Sequence, residues 1–514
     1  MTFFRPAAGA AAAVLACAAA LAGCSAGSTA APVATGSERG VTVALTTGPA
    51  SLDFTTTTGT AVSDAMIGTV YETLVSVDPD GEIEPLLATD WEVSPDGLTY
   101  TFNLREGVEF STGEPFDAHS AKFSLDRVSS PAWTNGLKAR LDPVDEVVAV
   151  DDHTLELRLD RPSNGLLRDL AGVVGAMMTP GGVDELATDP VGTGPYEAGR
   201  FLPGQSLELR ARGDYWGDQP ANEAVVLRYF PEATSAVNAL AAGDVDAVWR
   251  LPAPSLLEGL PRDGGWQVDV GTSEGEFLLG MNNKKAPFDD LAVRRAVLTA
   301  VDHEAIRETV YEGLGVLTGG TPVPPTDPWF DPTPRYPFDP ARARAILSEA
   351  GYATDGSDPR LKVTMTVPAR PYTMNASELL YSQLTDVGFD LDLELVEFPL
   401  WIDDVIGRHD FEMTLVAHEE PRDIPQLFGD PDYYLGVDSP AIRGQLARAQ
   451  AAPPQDAADE MARAVDIIMA EARADTMLNV PTIVASRPGL RGVEPTDIAE
   501  GLPLASLSLE EGKQ

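Results

Sequence analysis

Two groups of charged residues in the second half of the chain are placed to hold one small molecule at both ends. Arg370 stands in Pro368-Ala369-Arg370-Pro371-Tyr372, and a carboxylate cluster stands in His418-Glu419-Glu420-Pro421-Arg422-Asp423. A guanidinium is a planar fork that grips a carboxylate through two parallel hydrogen bonds. Glu419, Glu420 and Asp423 offer the opposite charge, so a small zwitterion fits the set. The elements that must position them are legible. Val363, Met365 and Val367 alternate as a strand that ends just before Arg370. Ala376, Leu380, Leu384 and Val387 are spaced as one face of a helix stopped by Gly388. Phe389, Leu391, Leu393 and Leu395 alternate with Asp390, Asp392 and Glu394, the pattern of a half-buried strand. A helix over Trp401 to Gly407 and a strand over Phe411 to Ala417 lead into His418. Alternating strands and helices predict an open α/β sheet, which binds ligands beyond the carboxyl ends of its strands. Both charged groups fall at such ends.

The chain has 514 residues and 44% hydrophobic content, more than one core usually holds, so at least two lobes are expected. Its formal charge of −43 repels phosphate backbones and anionic headgroups, which excludes nucleic acid as a partner. At the front, Arg5, an apolar run from Ala7 to Ala20 and Leu21-Ala22-Gly23-Cys24 resemble a bacterial lipoprotein signal. That resemblance implies cleavage before Cys24, lipid on its thiol and amino group, and removal of residues 1–23. Residues 24–40 are small and polar, a flexible tether. Cys17 lies inside the signal, so the mature chain keeps one cysteine and has no internal disulfide or cysteine zinc site.

Val41, Val43 and Leu45 open the fold as a strand, and Thr55 to Thr60 form a small polar loop where backbone at Thr58, Gly59 and Thr60 can approach a ligand. Further on stand Tyr71-Glu72-Thr73-Leu74-Val75, Glu84-Pro85-Leu86-Leu87-Ala88-Thr89-Asp90-Trp91, Asp96-Gly97-Leu98-Thr99-Tyr100-Thr101-Phe102-Asn103-Leu104, Gly192-Thr193-Gly194-Pro195-Tyr196 and Asp214-Tyr215-Trp216-Gly217. Together and in this order they resemble the extracytoplasmic solute-binding proteins of ABC importers, in the peptide, dipeptide and nickel class. Most of these residues read as scaffold: Asp96-Gly97 is a hairpin turn, Tyr100, Phe102 and Leu104 share a strand face, and Gly192, Gly194 and Pro195 build a rigid turn.

The resemblance implies a two-lobed α/β periplasmic-binding-protein fold of type II. The first lobe would comprise 41–275 and 485–514, with an inserted subdomain over about 62–185, and the second lobe 276–484. It also implies a monomer on the outer face of the cell membrane, partnered by an ABC permease and its ATPase, with no cofactor and no enzymatic activity. Arg370-Pro371-Tyr372 followed by Asn375 resembles the segment whose arginine takes a peptide carboxylate in dipeptide-binding relatives. Ala417-His418-Glu419-Glu420 falls where they place an aspartate for the peptide ammonium, although the Gly/Trp-rich turn of those relatives is replaced here. The expected ligand contacts are therefore Arg370, Tyr372, His418, Glu419, Glu420, Asp423, Thr58, Gly59 and Thr60.

Two other functions fit parts of the sequence. A nickel or metal-chelate binder would centre on His418. The remaining histidines, His119, His153, His303 and His409, read as incidental surface residues, and no pair has the spacing of a local metal site. Gly271-Thr272-Ser273-Glu274-Gly275 fits the nucleophile elbow of hydrolases, which needs a strand before it and a helix after it. Phe277 to Asn282 reads instead as a strand crossing between lobes, and a hydrolase is disfavoured. Beyond it, Val293, Val297, Val301 and Ile306 predict one helix capped by Asp289-Asp290. Asp339-Pro340 opens another, closed by Gly351, and a late helix spans Asp456 to Ala474. Met477 to Val484 then returns to the first lobe, against which the tail from Gly489 closes.

Overall fold

The computed structural model describes residues 40–57, 59–418 and 424–510, apart from the side chains of Pro371 and Pro454. The signal and tether, Thr58, and the segment 419–423 with Glu419, Glu420 and Asp423 lie outside the described residues. No described helix is long and apolar enough to cross a membrane.

Eleven strands form one mixed sheet: β1 Gly40–Leu45, β2 Tyr196–Leu202, β3 Ser206–Ala211, β4 Ala224–Tyr229, β5 Ala247–Val248, β6 Gln267–Met281, β7 Val316–Gly320, β8 Lys362–Pro368, β9 Asp390–Val396, β10 Met413–His418 and β11 Ala474–Ser486. Their order is β9-β8-β10-β6-β11-β5-β1-β4-β3-β2, with β7 laid against β11. β1 runs parallel to β4 and β5, and β8 runs parallel to β9 and β10. These are two parallel patches, each with carboxyl ends free to face a ligand. The antiparallel pair β6 and β11 joins them.

The apolar interior divides on either side of that pair. One core draws on Val41 to Trp249 together with Val484 to Leu507, and two others draw on residues between Phe277 and Leu478. A four-stranded antiparallel sheet (88–93, 99–104, 154–159, 144–151) stands apart from the main one on the first side. Tyr100, Phe102 and Leu104 bury one of its faces, as their alternation requires.

β6 and β11 are not one continuous ladder. Gly271 and Thr272 pair with Thr482 and Pro481, and pairing resumes only at Glu276 opposite Asn479. The fully buried Asn479 amide fills the gap, donating to the carbonyls of Ser273 at 2.7 Å and Gly275 at 2.9 Å. Ser273 Oγ in turn donates to the Val480 carbonyl at 2.7 Å. Buried backbone acceptors need such partners. Ser273 therefore serves a strand junction, and the strand continues to Met281 where a hydrolase elbow would turn into a helix.

Several of the first-half motifs converge on one buried carboxylate. Glu72 accepts from Thr193 Oγ1 at 2.8 Å, Tyr215 Oη at 2.6 Å and Trp216 Nε1 at 2.9 Å. Burial pushes its carboxyl above the usual range, against the pull of these donors and of Arg212. Gly192 is required beside it, since a Cβ there would stand 1.9 Å from the Val70 carbonyl oxygen.

Most expected elements are present with shifted bounds, and several expectations are corrected. The helix after Asp290 is two helices, Leu291–Ala300 and His303–Tyr311, because Asp302 caps a new one through Ala305 N–H at 3.1 Å. The helix carrying Ala376, Leu380, Leu384 and Val387 begins at Pro371, so Tyr372 lies in its first turn. Phe398–Trp401 opens a helical segment expected only from Trp401, and the late helix runs Pro454–Glu471, ended by left-handed Ala472. Leu395 is exposed, since the edge strand β9 buries Val396 instead. His303 is no incidental surface residue: its Nε2 lies 3.0 Å from the buried Asp475 carboxylate. Burial works against the His303 charge, and Asp475 more than offsets it, so the net shift is upward.

Glu72→Ala leaves three donors facing a void and is expected to cost about 3 kcal/mol or more of unfolding free energy. Glu72→Gln, whose amide oxygen can still accept from Thr193 and Trp216 at the Oε2 position while its NH2 donates to the Tyr215 hydroxyl, is expected to recover part of it. Urea unfolding followed by circular dichroism measures both, and a loss under about 1 kcal/mol for Glu72→Ala counts against the convergence as a stabilising node.

Candidate functional site

The spine of the site is β6 at the junction with β11. On its first-lobe side, residue 273 bridges to residue 497 in the tail, and Asp497 accepts from Arg250 through Nη2 at 2.8 Å and through Nε. The third arm of that guanidinium, Nη1, donates to Asp64 at 2.5 Å. Arg250 holds a left-handed backbone, φ +53°, just past the carboxyl end of β5. Such a conformation is unfavourable for a side chain of this size and persists only where its surroundings enforce it. Here two carboxylates clamp the side chain. Burial pushes the Asp64 carboxyl up to about 6; Arg250 pulls against it, while Asp497 and Glu500 add to it.

Toward the second lobe, Glu274 pairs with Arg168 at 3.2 Å, both well buried. Glu276 receives Thr476 Oγ1 at 3.4 Å and stands opposite His418 in the ladder between β6 and β10. The His418 ring stacks on Tyr434 (centroids 6.2 Å apart, planes within 12°). Phe277, the next residue of β6, meets Tyr311 and Tyr372 edge to face, at 6.3 Å and 5.8 Å. Asp64, Arg250 and Asp497 thus form one charged cluster bridged to β6 at Ser273, and Glu274, Glu276 and His418 follow along the same stretch of sheet, with aromatic rings on the second-lobe side.

The structure brings together some of the expected contacts. Met365 of β8 is level with Met413 of β10, so Arg370 and His418 leave the same edge of the sheet on neighbouring parallel strands. Tyr372 follows on the first turn of helix Pro371–Val387 and packs against Phe277. Arg370 is exposed, and its guanidinium lies over the Phe398 ring, 4.7 Å from the centroid, toward the edge strand β9. It makes no ion pair with a described carboxylate. Gly59, at φ +105°, and Thr60 are exposed at the start of helix Thr60–Met66, the helix that carries Asp64 into the charged cluster. No group of three or more metal-ligating side chains is present among the described residues.

Sequence reading missed Arg168, Arg250, Glu274, Glu276 and Asp497. Two had a signal. Glu274 and Glu276 stand at the head of an apolar strand, and Arg250 ends the short run Ala247-Val248-Trp249. A charge abutting a buried run needs a partner, although nothing local names Asp497 as that partner.

Asp64 sets a pH dependence. Its folded pKa exceeds the unfolded value of 3.8, so the folded state holds a proton that the unfolded state releases between about pH 4 and 6. That stability contribution is present below the unfolded pKa and lost as pH rises through about 6. Asp64→Asn removes the term, so the variant is expected to gain on the wild type between pH 4.5 and 7 in urea unfolding. A difference that stays constant or moves the other way contradicts the burial of Asp64.

Residues 82–434 match the family described as Bacterial extracellular solute-binding proteins, family 5 Middle. Heme-binding protein A of Haemophilus influenzae is 31% identical over 395 residues, which cover 71% of this chain and 70% of that protein. The Dipeptide-binding protein of Escherichia coli is 29% identical over 345 residues, covering 62% of this chain and 64% of that protein, just under two thirds of its length. Among solved structures, NikA from Brucella suis in complex with Fe(III)-EDTA superposes with a TM-score of 0.80 at 22% identity, covering 92% of this chain and 100% of that one. At that identity the likeness concerns the two-lobed fold alone. The chain belongs to family 5 of the bacterial extracellular solute-binding proteins, the binding proteins of ABC importers, and is not an enzyme.

Proposed function

We propose that this protein captures a short peptide or similar small zwitterion outside the cell and delivers it to an ABC permease, as a monomer held to the outer face of the membrane by lipid on Cys24. The observation that carries the ligand class is the state of Arg370. Its guanidinium is seated on Phe398 with no carboxylate partner among the described residues. Stacking occupies the face of the group and leaves its N–H donors, which radiate in the plane, for an incoming carboxylate. In this reading the carboxylates expected from the sequence, Glu419, Glu420 and Asp423, take the ammonium end. The similarity to a Dipeptide-binding protein supports the same assignment.

The lobes in this reading are 41–275 with 485–514, carrying the subdomain over about 62–185, and 276–484. β6 and β11 are the hinge, and closure presents both lobes to the permease. Thr58, Gly59 and Thr60 supply backbone to the ligand from the first lobe, and Tyr372 and His418 supply rings from the second. A metal chelate is the second reading. It is favoured by the fold shared with a protein solved around Fe(III)-EDTA, since a chelate also offers carboxylates to Arg370, with His418 as the added ligand.

Calorimetry on the mature chain separates the two, with dipeptide and tripeptide pools set against nickel salts with and without free histidine. For the peptide reading, Arg370→Ala is expected to weaken binding by about thirty-fold to a few thousand-fold, because closure buries the ligand carboxylate without its partner. A contact left in water would lose less than about five-fold. Peptide affinity unchanged by Arg370→Ala rules out the carboxylate anchor.

A further inference from the structure

Away from β6 and β11, the two halves of the molecule also meet through the side chain of Asn164. Asn164 belongs to the first lobe, between strand 154–159 and the short helix Leu166–Leu170, whose Leu166 and Leu170 are in the first core. Its Nδ2 amide reaches the carbonyl oxygens of Ala449 at 2.8 Å, Gln450 at 3.2 Å and Ala452 at 2.8 Å. These are the last carbonyls of helix Pro440–Ala451 and its cap, and the helix is rooted through Ile442 and Leu446 in a second-lobe core. The last turn of a helix has carbonyls without intrahelical partners and the negative end of the helix dipole. Pro453 and Pro454 follow at once, so no N–H from either can turn back to them. The donor is held in place: Tyr100 Oη bonds the carbonyl of the preceding Ser163 at 3.0 Å. A second touch between the halves supports the same closed arrangement. A Cβ at Gly81 would lie 3.1 Å from the Thr326 carbonyl oxygen, so the turn at Asp78–Gly81 rests directly on second-lobe backbone.

We propose that Asn164 is a closure latch, a positioning residue that binds the exposed carbonyl end of helix Pro440–Ala451 only when the lobes shut. With the lobes apart, its amide and the three carbonyls are hydrated and nothing is lost. With the lobes together they satisfy one another, so the side chain biases the closed state without touching solute. The inference rests on the reading of a hinged receptor and is indifferent to which solute it holds. Removing the amide is expected to shift the balance toward open by roughly five- to ten-fold, the worth of one or two neutral hydrogen bonds. The same factor passes to the release rate of any captured solute, while capture, which begins from open lobes, keeps its rate.

The test uses the full chain with Cys17→Ser and Cys24→Ser, and nitroxide labels at Glu92→Cys and Arg342→Cys, exposed positions on opposite lobes. Pulsed electron resonance on ligand-free protein reads the ratio of short to long inter-lobe distances. Asn164→Ala and Asn164→Asp, the latter turning a carboxylate toward the carbonyls, are each expected to lower that ratio five- to ten-fold with an unchanged melting temperature. A ratio that neither variant moves, or a wild-type protein with no short component, overturns the latch. Calorimetry that finds no peptide or chelate would remove the solute assignment and leave this distance ratio to stand or fall by itself.

Discussion

The buried amide of Asn479 is the constraint on which the rest of the structure depends. The chain must pass between two cores, and it does so on a pair of strands that lose their ladder over Ser273 to Gly275. Left alone, that gap would bury backbone carbonyls without donors. Asn479, opposite it on β11, donates to two of them and so keeps β6 and β11 together where regular pairing fails. The same defect makes the pair suited to bend. Ladder hydrogen bonds resist rotation of one half against the other, whereas a short stretch held by the side chains of Asn479 and Ser273 resists it less.

The charged groups take their positions from that spine. Glu274 and Glu276 are on β6 itself, His418 is their ladder neighbour, and Asp497 is bridged to Ser273. Buried charges in a protein are paired or costly, and here each guanidinium is set against acids from a different part of the chain: Arg250 against residues 64 and 497, and Arg168 against residue 274. The strained backbone of Arg250 is a consequence of serving two carboxylates at once. Arg370 is the contrast. It lies on the surface against an aromatic ring, outside any described ion pair.

The first lobe shows how a row of short motifs becomes a scaffold. Glu72, Thr193, Tyr215 and Trp216 are far apart in the chain and meet at one carboxylate. Reading them as structural was sound, since their shared role is to satisfy a buried charge and not to face solvent. The close approach at Gly192 and the burial of Tyr100 and Phe102 belong to the same logic.

Periodicity alone determined much of this protein. The buried face of helix Pro371–Val387, the stop at left-handed Gly388, the caps at Asp290 and Asp339, and the strand that carries Ser273 past a false hydrolase motif all follow from local rules. Arg370 and His418 were also legible, because a strand's carboxyl end is marked by where its alternation stops. What local rules could not reach was pairing at a distance. His303 looked like a surface residue until Asp475 was brought beneath it, and the helix assumed to be single broke where Asp302 found a better role as a cap. Arg250, Asp64 and Asp497 are hundreds of residues apart, as are Asn164 and the helix end it binds. Local sequence sets which face of an element seeks cover. Only the folded chain decides which charge answers which, because the energy of a buried charge depends on the partner that tertiary packing delivers.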